Sequence, residues 1–237
     1  MRELMLQISK HIYFDAAHKN PRKGGKYARL HGHTFFIEVI ANGEIHPEIG
    51  WIVDFRDIKK CFNQIVNLLD HSYINDIPEL RDDATLYAIK SWILSQIGET
   101  PWWFKELRVG IIGDLDFVPR KMTADNNFPE LWCFSFESAQ SLPQLPLSHP
   151  CHRLHGHSYF VKAHAKEMDK LPEALRRIYN ILDHRWLNEI PGLEKATSEI
   201  LTNWLVETLR KFGQSPDLVI VQETHSSYCL WEDKRIS

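Results

Sequence analysis

The sequence has few cysteines and contains no long apolar run. Four cysteines in 237 residues are too few for a disulfide framework in a chain of this length, so we expect reduced thiols. No apolar run approaches the roughly 18 residues of a membrane span. The apolar stretch at the N-terminus is too short and too often interrupted to be a signal peptide. These absences predict a cytoplasmic protein with no membrane partner.

The charge balance also lacks an excess of either sign. There are 28 basic and 31 acidic side chains, which give a net charge of −3. Without a basic footprint, nucleic acid is not expected as a partner. The composition, 43% hydrophobic and 25% charged, is that of an ordinary soluble globular protein, and the length allows one large domain or two small ones.

A five-residue motif occurs twice and indicates a tandem duplication. Arg29-Leu-His-Gly-His33 returns 124 residues later as Arg153-Leu-His-Gly-His157. Further landmarks recur in the same order in both halves: Phe14–His18 as Phe136–Gln140, Leu69-Asp70-His71 as Leu182-Asp183-His184, and Ala84-Thr85 as Ala196-Thr197. We therefore predict a first unit at residues 1–120, a linker at 121–129 and a second unit at 130–237.

Each half has the residue pattern of an α+β unit. β-Branched and aromatic residues predict strands, and apolar residues at helical spacing predict helices. In the first half these are strands at 7–18 and 33–43, helices at 55–69 and 85–97, and strand character over 106–119. In the second half they are strands at 131–140 and 157–165, helices at 172–182 and 198–212, and strands at 217–222 and 227–232. We expect each half to form a four-stranded antiparallel sheet with two helices on one face.

The second half is shorter than the first. From the second motif histidine to the following Asp-His pair there are 37 positions in the first half but 26 in the second. The segment that is missing corresponds to Gly50–Phe55, which leads into the first helix. We expect a shortened second strand at this place.

Three histidines of the first half are candidate metal ligands. His31 and His33 project to the same face of a strand because side chains alternate with period 2. If the first two strands pair, His18 can meet them. Three imidazoles with an open fourth position are typical of a catalytic zinc.

The second half keeps only part of this set. His155 and His157 remain, but Gln140, a weak ligand, replaces the first histidine, and His149 and His152 lie nearby. Whether His155 and His157 form a second metal site is left open.

Several residues near the motifs are candidates for acid–base chemistry. Cys151, four residues before His155, can act as a base or nucleophile beside a metal and imidazoles; the first half has Tyr27 there. In the pairs Asp70-His71 and Asp183-His184, the carboxylate can orient the imidazole for proton transfer. The alternative is a histidine that interacts with the helix dipole.

Three residues of the second half are candidates for ligand binding. Glu223 ends a strand and would point an acceptor into a cleft. Thr197 and Glu199 open the last helix, where the alternative is a simple helix cap. The first half has Ile112 or Gly113 near the Glu223 position and Tyr87 in place of Glu199.

Together these motifs resemble the 6-pyruvoyl-tetrahydropterin synthase / 6-carboxy-tetrahydropterin synthase family, once per half. The spacing of Cys151, His155 and His157 is similar to the carboxy branch, which belongs to the queuosine pathway. The resemblance implies two tunnelling-fold (T-fold) units per chain. In that fold three units close a twelve-stranded barrel and two barrels stack, so a homotrimer of this chain would supply the six units.

The resemblance also implies roles for the site residues. His18, His31 and His33 would bind Zn²⁺, Cys151 would be the catalytic thiol, and Glu223 would anchor the pterin. Asp70-His71 and Asp183-His184 would be relay pairs, and Thr197 and Glu199 would lie in a substrate-binding segment. The implied reaction is carbon–carbon cleavage of 7,8-dihydroneopterin triphosphate, with release of acetaldehyde and triphosphate.

The candidate residues are divided between the halves. The first half has the histidine triad but lacks the cysteine and the glutamate, whereas the second half has Cys151 and Glu223 but an incomplete triad. Two hypotheses follow: a zinc-dependent lyase whose site residues are divided between halves, or a degenerate pterin-binding or structural protein without turnover.

Overall fold

The computed structural model describes residues 6–224 and 226–233. Residues 1–5, 225 and 234–237, which the two predicted units include, lie outside the described residues. The first half contains β1 (Leu6–His18), β2 (His31–Gly43), α1 (Phe55–Leu69), β3 (Ser72–Tyr73), α2 (Leu86–Gln96) and β4 (Phe104–Ile111). The second half contains β5 (Arg120–Met122), β6 (Leu131–Gln140), β7 (His155–Ala165), α3 (Leu171–Leu182), β8 (Arg185–Trp186), α4 (Ser198–Lys211), β9 (Pro216–Thr224) and β10 (Ser227–Glu232).

The predicted α+β class is confirmed, with one sheet and two helices in each half, but the second sheet has six strands where four were expected. The first sheet has the order β3-β1-β2-β4, and the second has the order β10-β9-β7-β6-β5 with β8 also paired to β6. The long strands pair antiparallel, while the two-residue strands β3 and β8 pair in parallel with β1 and β6. Within the described residues, none of the helices is long and apolar enough to cross a bilayer.

The halves repeat each other in the packing of their cores. In the first half, apolar residues of α1 such as Ile58 and Phe62 are buried with the sheet. Phe14 and Phe35 stack there with ring centroids 5.1 Å apart. Phe136 and Tyr159 stack at the matching place in the second half, at 4.9 Å. Each half therefore buries its own apolar core between a sheet and two helices.

The prediction of strand character over the whole of residues 106–119 is wrong. β4 ends at Ile111, and the next strand, β5, pairs with β6 of the second sheet. The predicted linker at 121–129 begins inside β5, and its polar residues form the turn of the β5–β6 hairpin. There the Asp125 carboxylate accepts from the backbone N–H groups of Asn127 and Phe128 at 2.7 and 2.8 Å. Turn residues and linker residues have the same polar composition, so the pattern did not separate them.

The second strand of the second half is shortened, as expected, but only slightly. β7 has 11 residues and β2 has 13. The rest of the difference lies in the connector to the next helix and in the helix itself, since α3 has 12 residues and α1 has 15.

The two halves meet where β2 and β7 begin. A Cβ atom added to Gly32 would overlap the Cα atom of Gly156, and one added to Gly156 would overlap Gly32. Two reciprocal hydrogen bonds flank this contact: Thr34 N–H donates to Ser158 Oγ at 3.1 Å, and Ser158 N–H donates to Thr34 Oγ1 at 3.3 Å. Because side chains alternate along a strand, the histidines on either side of each glycine point away from the contact.

Substitution of Gly32 by Ala is expected to destabilise the chain. The added methyl group would overlap backbone atoms of Gly156, and backbone cannot rotate away as a side chain can. Overpacking of this kind costs about 1–3 kcal/mol in the free energy of unfolding, to be measured by urea denaturation. Gly98→Ala is the matched control, because its added Cβ meets no atom within 4 Å. Equal unfolding free energies for Gly32→Ala and the unmodified protein would contradict the backbone contact.

Candidate active site

His18, His31 and His33 form one cluster, which we call the triad site. His18 is the last residue of β1 and is paired with His31 at the start of β2, while His33 is paired with Ala16. All three side chains are buried. One ring nitrogen from each histidine lies within 4.8 Å of the others, so the strand register alone brings the three imidazoles together.

The other ring nitrogen of each triad histidine is held by an oxygen acceptor. The Nδ1 atom of His18 lies 2.8 Å from the Ala84 carbonyl, and that of His31 lies 2.8 Å from the Arg29 carbonyl. The Nδ1 atom of His33 lies 2.6 Å from Glu137 Oε2, a carboxylate of the opposite half. Nδ1–H donation leaves each Nε2 with a free lone pair. The Nε2 atoms of His18 and His31 are buried without a hydrogen-bond partner among the described residues.

This arrangement fits a metal ion. Burial lowers the pKa of His18 and of His31 well below the ordinary value and lowers the pKa of His33 to about 3. The three imidazoles are therefore neutral, which is the form that binds metal. Burial also raises the pKa of Glu137 well above its usual range, and a cation on the triad would favour its ionised form. Hydrogen bonds from metal-binding histidines to carboxylate or carbonyl oxygens are the usual second layer of such sites.

The second half completes the triad site with His184. Its ring stacks on that of His31 with centroids 4.2 Å apart. Its Nδ1 atom lies 2.8 Å from Asp183 Oδ2, which also accepts from Lys26 Nζ at 3.1 Å. His184 has a positive φ of 52°, and its N–H donates to the Glu137 carbonyl at 2.7 Å. This left-handed turn at the end of α3 aims the imidazole at the other half.

Cys151, His155 and His71 form a second cluster, which we call the thiol site. One ligand atom from each lies within 4.8 Å of the other two. His71 comes from the first half and stacks on His155 at 4.6 Å. It has a positive φ of 51° and thus repeats the geometry of His184. The hydrogen bonds to Asp70, at 3.0 Å, and to Cys151 raise the pKa of His71 to about 10.

Glu223 lies beside the thiol site in a network that has no counterpart in the first half. Its carboxylate accepts from Gln140 Nε2 at 2.6 Å and from the Ser198 hydroxyl, and it lies 3.3 Å from His157 Nε2. The other ring nitrogen of His157 is 3.2 Å from Asp15 of the first half. Both nitrogens of His157 therefore face carboxylates, which leaves this histidine unsuited to join His155 as a metal ligand.

The remaining predicted residues lie outside the two clusters. The Thr197 hydroxyl accepts from the Ile200 N–H at 3.4 Å and caps α4, and Glu199 is exposed. Ser198, between them, is the residue that reaches Glu223. Tyr87 is exposed.

His149 and His152 lie in the turn before β7, and Ile111 lies at the end of β4. His149 Nδ1 accepts from the Cys151 N–H at 3.2 Å, and His152 Nδ1 lies 2.8 Å from the Leu145 carbonyl, so both shape the turn that carries Cys151. In the first sheet, Ile111 pairs with Phe35, the counterpart of Tyr159. Ile111, and not Ile112 or Gly113, therefore stands where the second half has Glu223.

Sequence reasoning missed the residues that connect the halves. Asp15 and Glu137 occupy the same position in the repeated strand motif, and each carboxylate contacts a motif histidine of the opposite half. An acid at this position in both halves, beside the repeated hydroxyl of Thr34 and Ser158, was a usable signal. The role of Lys26 had no signal, because Pro150 stands at its repeat position.

We expect Glu137→Gln to weaken metal binding at the triad site. An amide can still accept from His33 but carries no charge to balance a cation, and loss of such a partner typically weakens metal affinity by about 10–100-fold. Competition titration with a chromophoric chelator measures the affinity. The matched control is Asp15→Asn, which changes the equivalent carboxylate beside His157. Equal losses in both variants would contradict a specific role for Glu137.

Comparisons with known proteins agree with the duplication. The family model described as 6-pyruvoyl tetrahydropterin synthase matches residues 7–108 and again residues 132–234. A dihydroneopterin monophosphate aldolase of Pyrococcus furiosus is 40% identical over 84 residues, which cover 35% of this chain and 68% of that protein. A 6-carboxy-5,6,7,8-tetrahydropterin synthase of Synechocystis sp. is 38% identical over 97 residues, which cover 39% of this chain and 74% of that protein.

One more sequence relative and one solved structure also match. A putative 6-carboxy-5,6,7,8-tetrahydropterin synthase of Archaeoglobus fulgidus is 38% identical over 109 residues, 45% of this chain and 87% of that protein. The solved structure of Caenorhabditis elegans 6-pyruvoyl tetrahydropterin synthase aligns with 47% of this chain and 92% of its own, at 19% identity and a TM-score of 0.42. Each sequence relative thus corresponds to about one half of this chain.

Proposed function

The chain belongs to the 6-pyruvoyl tetrahydropterin synthase family, a family of lyases, through both of its halves, and we propose that it acts as a zinc-dependent 6-carboxy-5,6,7,8-tetrahydropterin synthase-like lyase on 7,8-dihydroneopterin triphosphate, as in the queuosine pathway. The names of two of the sequence relatives support this reaction. The observation that carries the proposal is the meeting of Cys151, His71 and Asp70 next to Glu223.

The thiol site has the groups that proton transfer requires. Cys151 can remove a proton from the substrate side chain, and His71 can exchange that proton with the thiol. Asp70 fixes the orientation of His71 through its Nδ1 atom, which leaves Nε2 toward the thiol. General acid–base groups held in this way contribute about 10²–10⁴-fold to a rate.

Glu223 is the group that would hold the pterin ring. Its carboxylate already accepts from an amide and a hydroxyl, Gln140 and Ser198. The N–H donors of a pterin can take the place of these partners without leaving the carboxylate unpaired. The neighbouring imidazole of His157 keeps the site polar in the absence of a ligand.

The triad site would hold the zinc. His18, His31 and His33 supply the three neutral ligands, and a bound zinc supplies Lewis-acid chemistry toward oxygen ligands. The His184–Asp183 pair stands beside these ligands as a second proton carrier. Tyr27, whose ring centroid is 5.1 Å from that of His184, stands where the thiol site has its cysteine.

A second candidate function is pterin binding, or a structural role, without turnover. One observation favours it: within the chain, the triad and the thiol site point away from each other on either side of the Gly32–Gly156 contact. Incubation of the purified protein with 7,8-dihydroneopterin triphosphate, followed by chromatography and mass spectrometry, separates the two functions. A 6-carboxypterin product supports the lyase, and pterin binding without product supports the second candidate.

We expect Cys151→Ala to lower product formation by at least about 100-fold, because the variant removes the base of the thiol site. The one tight zinc equivalent bound at the triad should be unchanged because Cys151 does not contact the triad. Cys133→Ala is the matched control, since Cys133 lies in β6 outside both sites. Full activity of Cys151→Ala would contradict the role of the thiol and transfer it to Tyr27.

We also expect three chains to assemble. Apart from the two-residue pairing with β3, the outer edge of β1 has no strand partner in the described structure, and β4 pairs only with β2. Unpaired edges of this length seek further strands, and six units would close two barrels. Sedimentation velocity at micromolar concentration should give the mass of a trimer. A monomer under these conditions would exclude the barrel assembly.

A further inference from the structure

We propose that His71, Cys151 and His155 form a second metal site, separate from the triad, that binds a thiolate-preferring divalent ion such as Zn²⁺. The ligand atoms lie within 4.8 Å of one another. Ligand atoms of a tetrahedral zinc lie roughly 3.3–3.7 Å apart, given Zn–N of about 2.0 Å and Zn–S of about 2.3 Å. Small side-chain rotations therefore suffice to close the site around an ion.

The two imidazoles of this site are already oriented as metal ligands. The Nδ1 atom of His71 lies 3.0 Å from Asp70 Oδ2, and that of His155 lies 2.8 Å from the Arg153 carbonyl. An ion would therefore bind the two Nε2 atoms, and at His71 it would replace the proton shared with Cys151. The carboxylate–histidine–metal arrangement is the one that metal sites commonly use, and Asp70 with the thiolate would balance a charge of +2.

The ligand set differs from the one inherited by duplication. Gln140 replaces the first triad histidine, and His157 lies between the carboxylates of Asp15 and Glu223. Only His155 of the triad positions remains available. Cys151 and His71 take the two lost places, and both are only partly buried, so a fourth position is open to water or a small ligand.

The donor chemistry selects the ion. One thiolate and two imidazoles suit zinc and similar borderline ions, and they exclude magnesium and calcium, which require oxygen ligands. Two contacts must change: the hydrogen bond between His71 and Cys151 gives way to the ion, and Gln140 Nε2, which lies 3.3 Å from His155 Nε2, must move away. The amide retains its shorter bond to Glu223, at 2.6 Å, so the change is small.

This site goes beyond the proposed function and competes with it. An ion on Cys151 and His71 occupies the two groups that would carry protons in turnover. Because His71 comes from the first half and the other ligands from the second, the ion would also cross-link the halves. Metal in excess of the triad equivalent is therefore expected to block the thiol.

Cobalt titration of the metal-free full-length protein tests the proposal. Co²⁺ bound by a thiolate gives a near-ultraviolet charge-transfer band, whereas Co²⁺ on the triad has only nitrogen ligands from the protein. We expect two equivalents per chain and the thiolate band in the unmodified protein. The band should persist in a His31→Ala, His33→Ala variant, with one equivalent remaining.

Two variants and a control complete the test. Cys151→Ser and His71→Ala should each lose the band and one equivalent, and Cys133→Ser should retain both. Zinc should protect Cys151 from alkylation, read by peptide mass spectrometry, in the unmodified protein but not in His71→Ala. Absence of the band in the unmodified protein, or its persistence in Cys151→Ser, would overturn the proposal. None of these readouts depends on turnover, so failure of the lyase assay and failure of this test are distinguishable.

Discussion

The close approach of β2 and β7 at Gly32 and Gly156 is the constraint on which the rest of the structure depends. A side chain at either position would separate the strands and break the reciprocal hydrogen bonds of Thr34 and Ser158. Because the strands meet this closely, short side chains such as Asp15 and Glu137 can span from one half to the histidines of the other. The motif glycines therefore set the distance between β2 and β7, and this distance allows each half to reach the histidines of the other.

Each site is completed by the opposite half. His184 packs on the triad, and His71 packs on His155, each held by an aspartate and by a left-handed turn at the end of a helix. The two pairs differ in exposure: the side chain of Asp183 is 4% exposed, and that of Asp70 is 40% exposed. Lys26 covers the first of these pairs and has no counterpart over the second. The triad site is consequently closed and suited to holding an ion, while the thiol site is open to ligands.

Much of this arrangement could be predicted from residues that repeat. The duplication, the strands that carry His33 and His157, and both Asp-His pairs follow from periodicity and from matching landmarks. The predictions failed where a contact has no local pattern. The β5–β6 hairpin resembled a linker because turns and linkers share polar residues. Ser198 was missed because its neighbour Thr197 has the stronger capping signal, and only the packing of α4 against β9 shows which side chain reaches Glu223.

The reciprocal completion of the sites changes what a single substitution can do. In an assembly of identical units, any replacement appears in every site at once. In this chain, Gln140 alters one site while His18 is retained in the other, and Tyr27 and Cys151 differ in the same way. When two units are joined in one polypeptide, each unit can acquire its own substitutions. The contact between β2 and β7 nevertheless holds the two units together. One site can retain the three motif histidines while the other gains a thiol, although neither can be built without the other's half.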